Sequence, residues 1–290
     1  MAVSRLALLL ATALLMTGCS ASDSPDDAGD AGDASPGSGS QSSSTGDTTS
    51  SAAAETPDPP KSPKAGACHR LRYGEAIAPT SPRRRVSCRS PHTSLTFHVG
   101  RLDLQDGRRV LEVDSPQVQS QAATACLPHL VEYLDGTTDL VRRSMLAPVW
   151  FTPTLAEADL GADWLRCDVI ALGRGRSLMR LPHPLAGALA DEQLRERFAL
   201  CATAAPGAQG FARVNCGAPH AWRAVASVDL EGETYPSDWE MAGQLDQPCT
   251  DAAREWSPDP LDLSWAEERP TREQWQAGQR YGLCWVAETD

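Results

Sequence analysis

"VSCRSPH" at residues 86–92 and "VNCGAPH" at residues 214–220 are two versions of one heptapeptide, Val-x-Cys-x-x-Pro-His. A cysteine that stands four residues before a histidine fits three interpretations: half of a metal site, a catalytic pair, or a structural turn. The heptapeptide alone does not distinguish between them. The spacing of the other cysteines bears on the choice, because the two heptapeptides are parts of a longer pattern.

Eight cysteines beyond residue 60 form two groups of four with related spacing. The intervals are 20, 38 and 41 residues in the first group and 15, 33 and 35 in the second. The eight are Cys68, Cys88, Cys126, Cys167, Cys201, Cys216, Cys249 and Cys284. An even set of cysteines in an exported chain is typical of disulfides. Four cysteines allow three pairings; we favour first with second and third with fourth, because these pairings close short loops within each group.

A second motif repeats in the same register. The pattern Pro-Thr-x6-Gly-x2-aromatic-x2-Cys begins at Pro153 and again at Pro270, and each time it ends at the fourth cysteine. Agreement at this many positions indicates an internal repeat. We therefore predict two copies of one small domain, over residues 67–172 and 200–290, joined by a linker of residues 173–199.

Each copy has the pattern of a small α+β domain, in which helices pack on a mostly antiparallel sheet. After the second Pro-His, alternation of period two predicts a strand with one face made of Trp222, Ala224, Ala226 and Val228. Apolar residues at spacings of three or four then predict a helix that points Cys126 or Cys249 inwards. Pro128 and Pro248 interrupt these helices, so we expect a kink or, in the second copy, a helix that begins near residue 246.

The end of each copy carries further signals. Short strands are predicted at residues 148–152 and 262–267. Two capping boxes follow, Thr154-x-x-Glu157 and Thr271-x-x-Gln274, each at the start of a short helix. Closing strands through the fourth cysteine are predicted at residues 164–172 and 281–287. The linker is expected to contain a short helix from about Asp191.

The first residues predict export. Residues 1–18 have a short positive start and an apolar run that is too short to span a bilayer, which indicates a signal peptide. The sequence Met-Thr-Gly-Cys that ends at Cys19 resembles the lipobox of bacterial lipoproteins, which implies cleavage before Cys19 and lipid on its thiol. Residues 19–66 are rich in Ser, Gly, Pro and Asp, and this composition predicts a disordered acidic tether. We expect the protein to be lipid-anchored on the extracytoplasmic face of the cell membrane.

The charge distribution limits the partners. The net charge of −12 argues against nucleic-acid binding. Residues 67–170 balance 12 Arg against 12 Asp and Glu, whereas residues 200–290 hold 6 Arg and 15 Asp and Glu. This asymmetry predicts different surfaces on the two copies. The basic run Arg83-Arg84-Arg85 occurs in the first copy alone.

Taken with the cysteine spacing, the heptapeptides resemble the septum formation family of bacterial envelope proteins. The second copy matches its motif at Cys201, Val214 to His220, Cys249, Pro270-Thr271, Trp275, Gly278 and Cys284, and the first copy has Ala158 where the family has Trp. The resemblance covers nearly all of residues 66–290. It implies a link to cell division and supplies no catalytic residues.

We therefore predict a non-catalytic envelope lipoprotein whose two domains bind a protein or a wall polymer. No metal and no cofactor is expected, because disulfide pairing removes the thiolates that zinc or nucleophilic chemistry would need. Pro91, His92, Pro219 and His220 are assigned a structural role, in which proline sets the turn and histidine bonds nearby backbone. The alternative is an envelope hydrolase that acts on wall polymer through two carboxylates facing each other across a cleft.

Overall fold

A computed structural model describes residues 60–81, 84–259 and 263–288. The predicted signal peptide, Cys19, the tether up to residue 59, and Arg83 of the basic run lie outside the described residues. No helix within the described ranges is both long enough and apolar enough to cross a membrane. We call residues 67–172 the first half and residues 200–290 the second half.

The first half is built on a five-stranded antiparallel sheet, with a small separate hairpin. Its elements in chain order are β1 (Cys68–His69), α1 (Tyr73–Ala76), β2 (Arg85–Val86), β3 (Ser94–Arg101), the hairpin β4 (Gln105–Asp106) and β5 (Arg109–Val110), α2 (Pro116–Tyr133), α3 (Thr138–Arg142), β6 (Leu146–Phe151), α4 (Leu155–Asp159) and β7 (Trp164–Ala171). The strand order in the sheet is β2-β1-β3-β7-β6.

The second half repeats the five-stranded sheet and the helices α2 and α4 of this plan, while its described residues contain no counterpart of α1, α3 or the hairpin. After α5 (Glu192–Arg197) come β8 (Leu200–Ala202), β9 (Arg213–Asn215), β10 (Trp222–Asp229), α6 (Asp238–Trp256), β11 (Trp265–Glu268), α7 (Arg272–Gln276) and β12 (Tyr281–Ala287). The strand order is β9-β8-β10-β12-β11, which is the order of the first sheet, element for element. Every pairing in both sheets is antiparallel. The predicted α+β class, with two small antiparallel sheets carrying helices and disulfides, is confirmed.

The two sheets share a β-bulge at the same place. In β3 the register shifts between Thr96 and His98, and in β10 it shifts between Ala224 and Ala226. The extra residue in β10 moves Ala226 and Val228 to the face covered by α6, while Ala224 stays on the opposite face. The prediction that Trp222, Ala224, Ala226 and Val228 share one face is therefore wrong, because a bulge breaks the strict period of two.

The long helices are continuous. α6 runs through Pro248 from Asp238, so the expectation of a helix that begins near residue 246 is wrong. Its start is fixed by Ser237, whose hydroxyl accepts from the backbone N–H of Glu240 while the Glu240 side chain returns to Ser237. Cys126 and Cys249 are fully buried on the inner faces of their helices, as predicted.

The repeated Pro-Thr motif has a clear structural basis. Thr154 and Thr271 each cap a short helix, α4 and α7, through a complete capping box. Seven residues later, Gly161 and Gly278 take positive φ angles of 85° and 95°. Such angles are costly for residues with a Cβ, so glycine is the residue that lets the chain leave the helix and enter the closing strand.

The linker adds to the core of the first half. Its apolar side chains pack against α2, and those buried there are Leu181, Leu185, Ala188, Leu189 and Phe198. The predicted short helix is α5, capped by Asp191.

The two halves also share a core. Met145 of the first half packs with Leu200, Leu283 and Trp285 of the second half. Polar contacts cross the same boundary. Asp139 accepts from the backbone N–H of Ser227 at 2.7 Å. The halves therefore form one compact unit.

Candidate functional site

The eight cysteines form four disulfides. Cys68 pairs with Cys88, Cys126 with Cys167, Cys201 with Cys216, and Cys249 with Cys284. This is the pairing of first with second and third with fourth that the spacing favoured, and it is confirmed. The sulfur atoms that lie near His183 and His220 belong to these bonds, so they are not thiolates that could bind a metal or attack a substrate.

The two Pro-His motifs adopt the same local geometry. His92 Nδ1 lies 2.9 Å from the carbonyl oxygen of Ser90, and His220 Nδ1 lies 2.7 Å from that of Ala218. A carbonyl oxygen only accepts, so each ring donates from Nδ1 to the turn two residues before it. Both rings therefore hold the turn that leads into β3 or β10.

The second ring nitrogens differ. His92 is buried, whereas His220 Nε2 lies 2.6 Å from the carboxylate of Glu288. Burial alone would lower the pKa of His220, but the bonds to Ala218 and Glu288 outweigh it and raise the pKa above its ordinary value. Arg223 bonds Glu288 at 2.5 Å and reaches Glu196 of α5 at 2.7 Å. Burial opposes the charge of Arg223, but the two carboxylates raise its pKa. This charged network ties the turn to the linker and to the end of β12.

The buried polar side chains are concentrated inside the first half. We call the sheet face under the long helix the helix face and the opposite one the back face. On the back face of the first sheet, Asp168 accepts from Arg166 Nε at 2.8 Å and from Arg166 Nη2 at 2.5 Å. It also accepts from the hydroxyls of Ser94 at 2.5 Å and Thr96 at 2.7 Å. The guanidinium stacks 4.4 Å from the ring centroid of Phe151.

His69 completes this buried network. Its Nδ1 lies 3.0 Å from the carbonyl oxygen of Arg84 and its Nε2 lies 3.3 Å from the hydroxyl of Thr96. Burial, and then the positive charge of Arg166, hold the pKa of His69 below its ordinary value.

Serine, histidine and aspartate meet in this network, but their arrangement differs from that of a hydrolytic triad. The hydroxyl of Ser94 donates to Asp168 and not to His69, so the imidazole that serves as base in a triad is not placed to take the serine proton. The carboxylate of Asp168 is itself held by Arg166. All five polar residues are at most 2% exposed. A substrate would have to displace the covering segment to reach them. The network therefore has the character of a structural core element.

A cleft of about 590 Å³ lies between the two halves. It is lined by Asp139, Arg143, Val225, Ala226, Ser227, Ala252, Glu255 and Trp256. Asp139 is bonded by Arg143 at 2.5 Å and by the backbone of Ser227. Glu255 of α6 lies exposed at this cleft. The cleft thus contains two carboxylates, those of Asp139 and Glu255. The charge of Asp139 is neutralised by the guanidinium of Arg143.

Sequence reasoning did not find the buried network. In β7 the charged residues Arg166 and Asp168 alternate with Leu165 and Cys167, which is the pattern of a strand with one wet face. Their sequence separation of two places the opposite charges next to each other on one face, which permits an ion pair but does not indicate that the pair is buried. The segment that covers them, around Leu71 and Ala76, carries no motif.

These observations define a class: an α+β protein of two disulfide-stapled antiparallel sheets that share a core. The family model described as "Septum formation" matches residues 65–284 in a single stretch that spans both halves. The chain therefore belongs to the septum formation family. Searches of curated proteins and of solved structures found no match.

Proposed function

We propose that this protein is a non-catalytic binding protein of the cell envelope that acts at the division septum. Family membership supports the link to septum formation. The observation that carries the non-catalytic part is the buried network: the side chains best suited to acid-base or nucleophilic chemistry are sealed inside the first sheet and bonded to one another.

We also propose that the family's domain is a duplicated unit. Three features support this: the same strand order in both sheets, the bulge at the same position of β3 and β10, and the same pairing of four cysteines in each half. The match of one family model across residues 65–284 agrees with a domain that contains both halves. Such a duplication would give the protein two binding faces that share one fold and differ in charge.

The site of action is proposed to be the outer face of the membrane, with lipid on Cys19. The disulfides support an oxidising compartment. Replacing Cys19 with Ala should move the protein from the membrane fraction to the soluble fraction. Firm membrane retention of the Cys19→Ala protein would contradict the lipid anchor.

Complementation tests the non-catalytic function. In the organism that encodes the chain, deletion of the gene should disturb septum formation, and the wild-type gene should restore it. Genes for Ser94→Ala and His69→Gln should restore it as well, provided that urea denaturation shows each protein folded at the growth temperature. If folded Ser94→Ala or His69→Gln protein failed to restore septa, chemistry at this network would be indicated and the proposal would be wrong.

A further inference from the structure

A groove of about 560 Å³ lies on the helix face of the second sheet, between α6 and β11. It is lined by Trp239, Ala242, Gly243, Asp246, Trp265, Ala266 and Glu267. The indole of Trp239 is 82% exposed at its rim. A large aromatic side chain exposed to water beside a groove is characteristic of a binding surface.

The strand beside the groove has a free edge. β11 is the outermost strand of its sheet and pairs with β12 alone. The backbone N–H of Ala287 donates to the carbonyl of Ser264 at 2.8 Å, so Ser264, Ala266 and Glu268 direct their backbone groups towards β12. The N–H and C=O groups of Trp265 and Glu267 therefore point outwards, and no described residue bonds them.

In the first half, the corresponding space between α2 and β6 is filled by a side chain. Gln119 stands seven residues before Cys126, as Ala242 stands seven before Cys249. The Gln119 side chain accepts from the indole N–H of Trp150 on β6 at 3.3 Å and donates to the carbonyl of Val113 at 2.9 Å, which fills the space between helix and strand. The second half has only a methyl group there.

The edge itself also differs between the halves. Through the registers with β7 and β12, Pro148 of β6 is the counterpart of Trp265 of β11. Proline has no N–H to offer, and it blocks the addition of another strand. The second half thus lacks both devices, the filling glutamine and the blocking proline.

We propose that this groove binds an extended, basic segment of a partner protein, which pairs with the edge of β11 and places an apolar side chain against Trp239. Binding by strand addition uses backbone bonds for affinity and pockets for alternate side chains. The inference rests on the proposed binding function and names the partner's chemistry.

The negative charge of the second half favours a basic partner. The second half carries 15 Asp and Glu against 6 Arg. At the groove, the exposed carboxylate of Asp246 has no bonding partner among the described residues, and Glu267 is bonded by Arg269. Self-pairing of two β11 edges would place two second halves side by side, each with the same excess of negative charge, and is therefore disfavoured. The chain's own residues 20–66 hold eight acids against Lys61 and Lys64, and they would be repelled as well.

Peptide titration against the full chain tests the proposal. The probe is an octapeptide of alternating Arg and Val with blocked ends, added while the indole N–H signals of ¹⁵N-labelled protein are recorded. Three comparison ligands are the Glu-Val octapeptide, the Arg-Val octapeptide N-methylated at its two central amides, and a chitin tetrasaccharide. We expect saturable binding of the Arg-Val octapeptide alone. N-methylation removes one N–H donor from each edge of the peptide strand, and glutamate reverses the charge of the peptide.

Variants locate the site. Trp239→Ala and Ala242→Gln should each weaken binding by at least about tenfold. Trp256→Ala is the matched control: it removes an exposed indole of the same helix that does not line the groove, and affinity should be retained. Gln119→Ala should gain no binding at the first half, since Pro148 still blocks that edge.

The inference would be overturned by no saturable binding of the Arg-Val peptide, by equal binding of its N-methylated form, or by equal losses from Trp239→Ala and Trp256→Ala. Binding of the tetrasaccharide in place of the peptide would also overturn it and would assign the groove to glycan. Each of these would leave the complementation result unchanged, so the failure of this inference is separable from the failure of the proposed function.

Discussion

The back faces of the two sheets solve one structural problem with opposite chemistry. Arg166 and Asp168 of β7 correspond, through the shared register, to Leu283 and Trp285 of β12. The partners Ser94, Thr96 and His69 correspond to Trp222, Ala224 and Ala202. The back face of the first sheet is thus covered by a buried ion pair with its hydrogen bonds, and that of the second sheet by an apolar cluster. The scaffold tolerates both, which indicates that backbone pairing and disulfides specify it more than the chemistry of this layer does.

The largest effect is expected where one partner of the ion pair is removed. Asp168→Ala leaves Arg166, Ser94 and Thr96 without their acceptor, and should lower the free energy of unfolding by about 5 kcal/mol, at the upper end for a broken buried pair. The double variant Arg166→Leu/Asp168→Leu makes the first half resemble the second and should cost less than the single change. Urea denaturation of both proteins measures this difference. A double variant less stable than Asp168→Ala would show that the two back faces are not interchangeable.

The apolar counterpart should respond to loss of volume instead. Trp285 is fully buried beside Phe211 and Leu283. Trp285→Ala should cost about 4 kcal/mol through lost burial and the remaining cavity. Thermal unfolding followed by circular dichroism checks this value. Trp239→Ala, at an exposed position, serves as the control and should shift the melting temperature little; a loss of less than about 1 kcal/mol for Trp285→Ala would argue against a tightly packed cluster.

The disulfides should contribute equally in the two halves. The bonds Cys126–Cys167 and Cys249–Cys284 span separations of 41 and 35 residues, and the loop-entropy difference between them is only about 0.1 kcal/mol. Replacing either pair with alanines should therefore cost a similar amount, about 4 kcal/mol. Chemical denaturation of the two double variants gives the comparison. Costs that differ by more than about 1 kcal/mol would mean that the halves depend differently on their staples.

The smallest predicted effect concerns pH, and it has opposite signs in the two halves. The pKa of His220 is raised in the folded protein, so its stabilisation is full below the unfolded value of 6.5 and is lost as the pH rises through the folded pKa. The pKa of His69 is lowered, so the unfolded chain takes up a proton first and stability falls as the pH drops below 6.5.

Unfolding free energies at pH 5.5 and pH 8.5 test these signs. The stability difference between wild type and His220→Gln should be larger at pH 5.5, by at most about 1 kcal/mol because the pair is partly exposed. His69→Gln should lose less stability than wild type when the pH is lowered to 5.5. The same pH slope for both variants would contradict the assignment of the two histidines.

Much of the scaffold could be predicted because its signals are local. The capping boxes at Thr154 and Thr271 and the closing strand at residues 281–287 depend on neighbouring residues, and the structure reproduces them. The start of α6 also had a local signal, the capping box Ser237-x-x-Glu240, but the prediction gave more weight to Pro248. The bulge in β10 depends on tertiary packing, which pattern periodicity does not contain. The buried charges and the groove were out of reach for the same reason. Both are defined by residues more than 20 positions apart, such as Trp239 with Trp265 and Ser94 with Asp168.

The order of the disulfides has a consequence for how the chain matures. Each cysteine is bonded to its next neighbour among the eight, so no bond encloses or crosses another. In a compartment that oxidises thiols as a polypeptide arrives amino terminus first, the second cysteine of each pair meets its native partner as the nearest free thiol among the eight. Pairing in order of arrival then produces the native set directly. Such a chain has little need for the reshuffling by an isomerase that interlaced disulfides require.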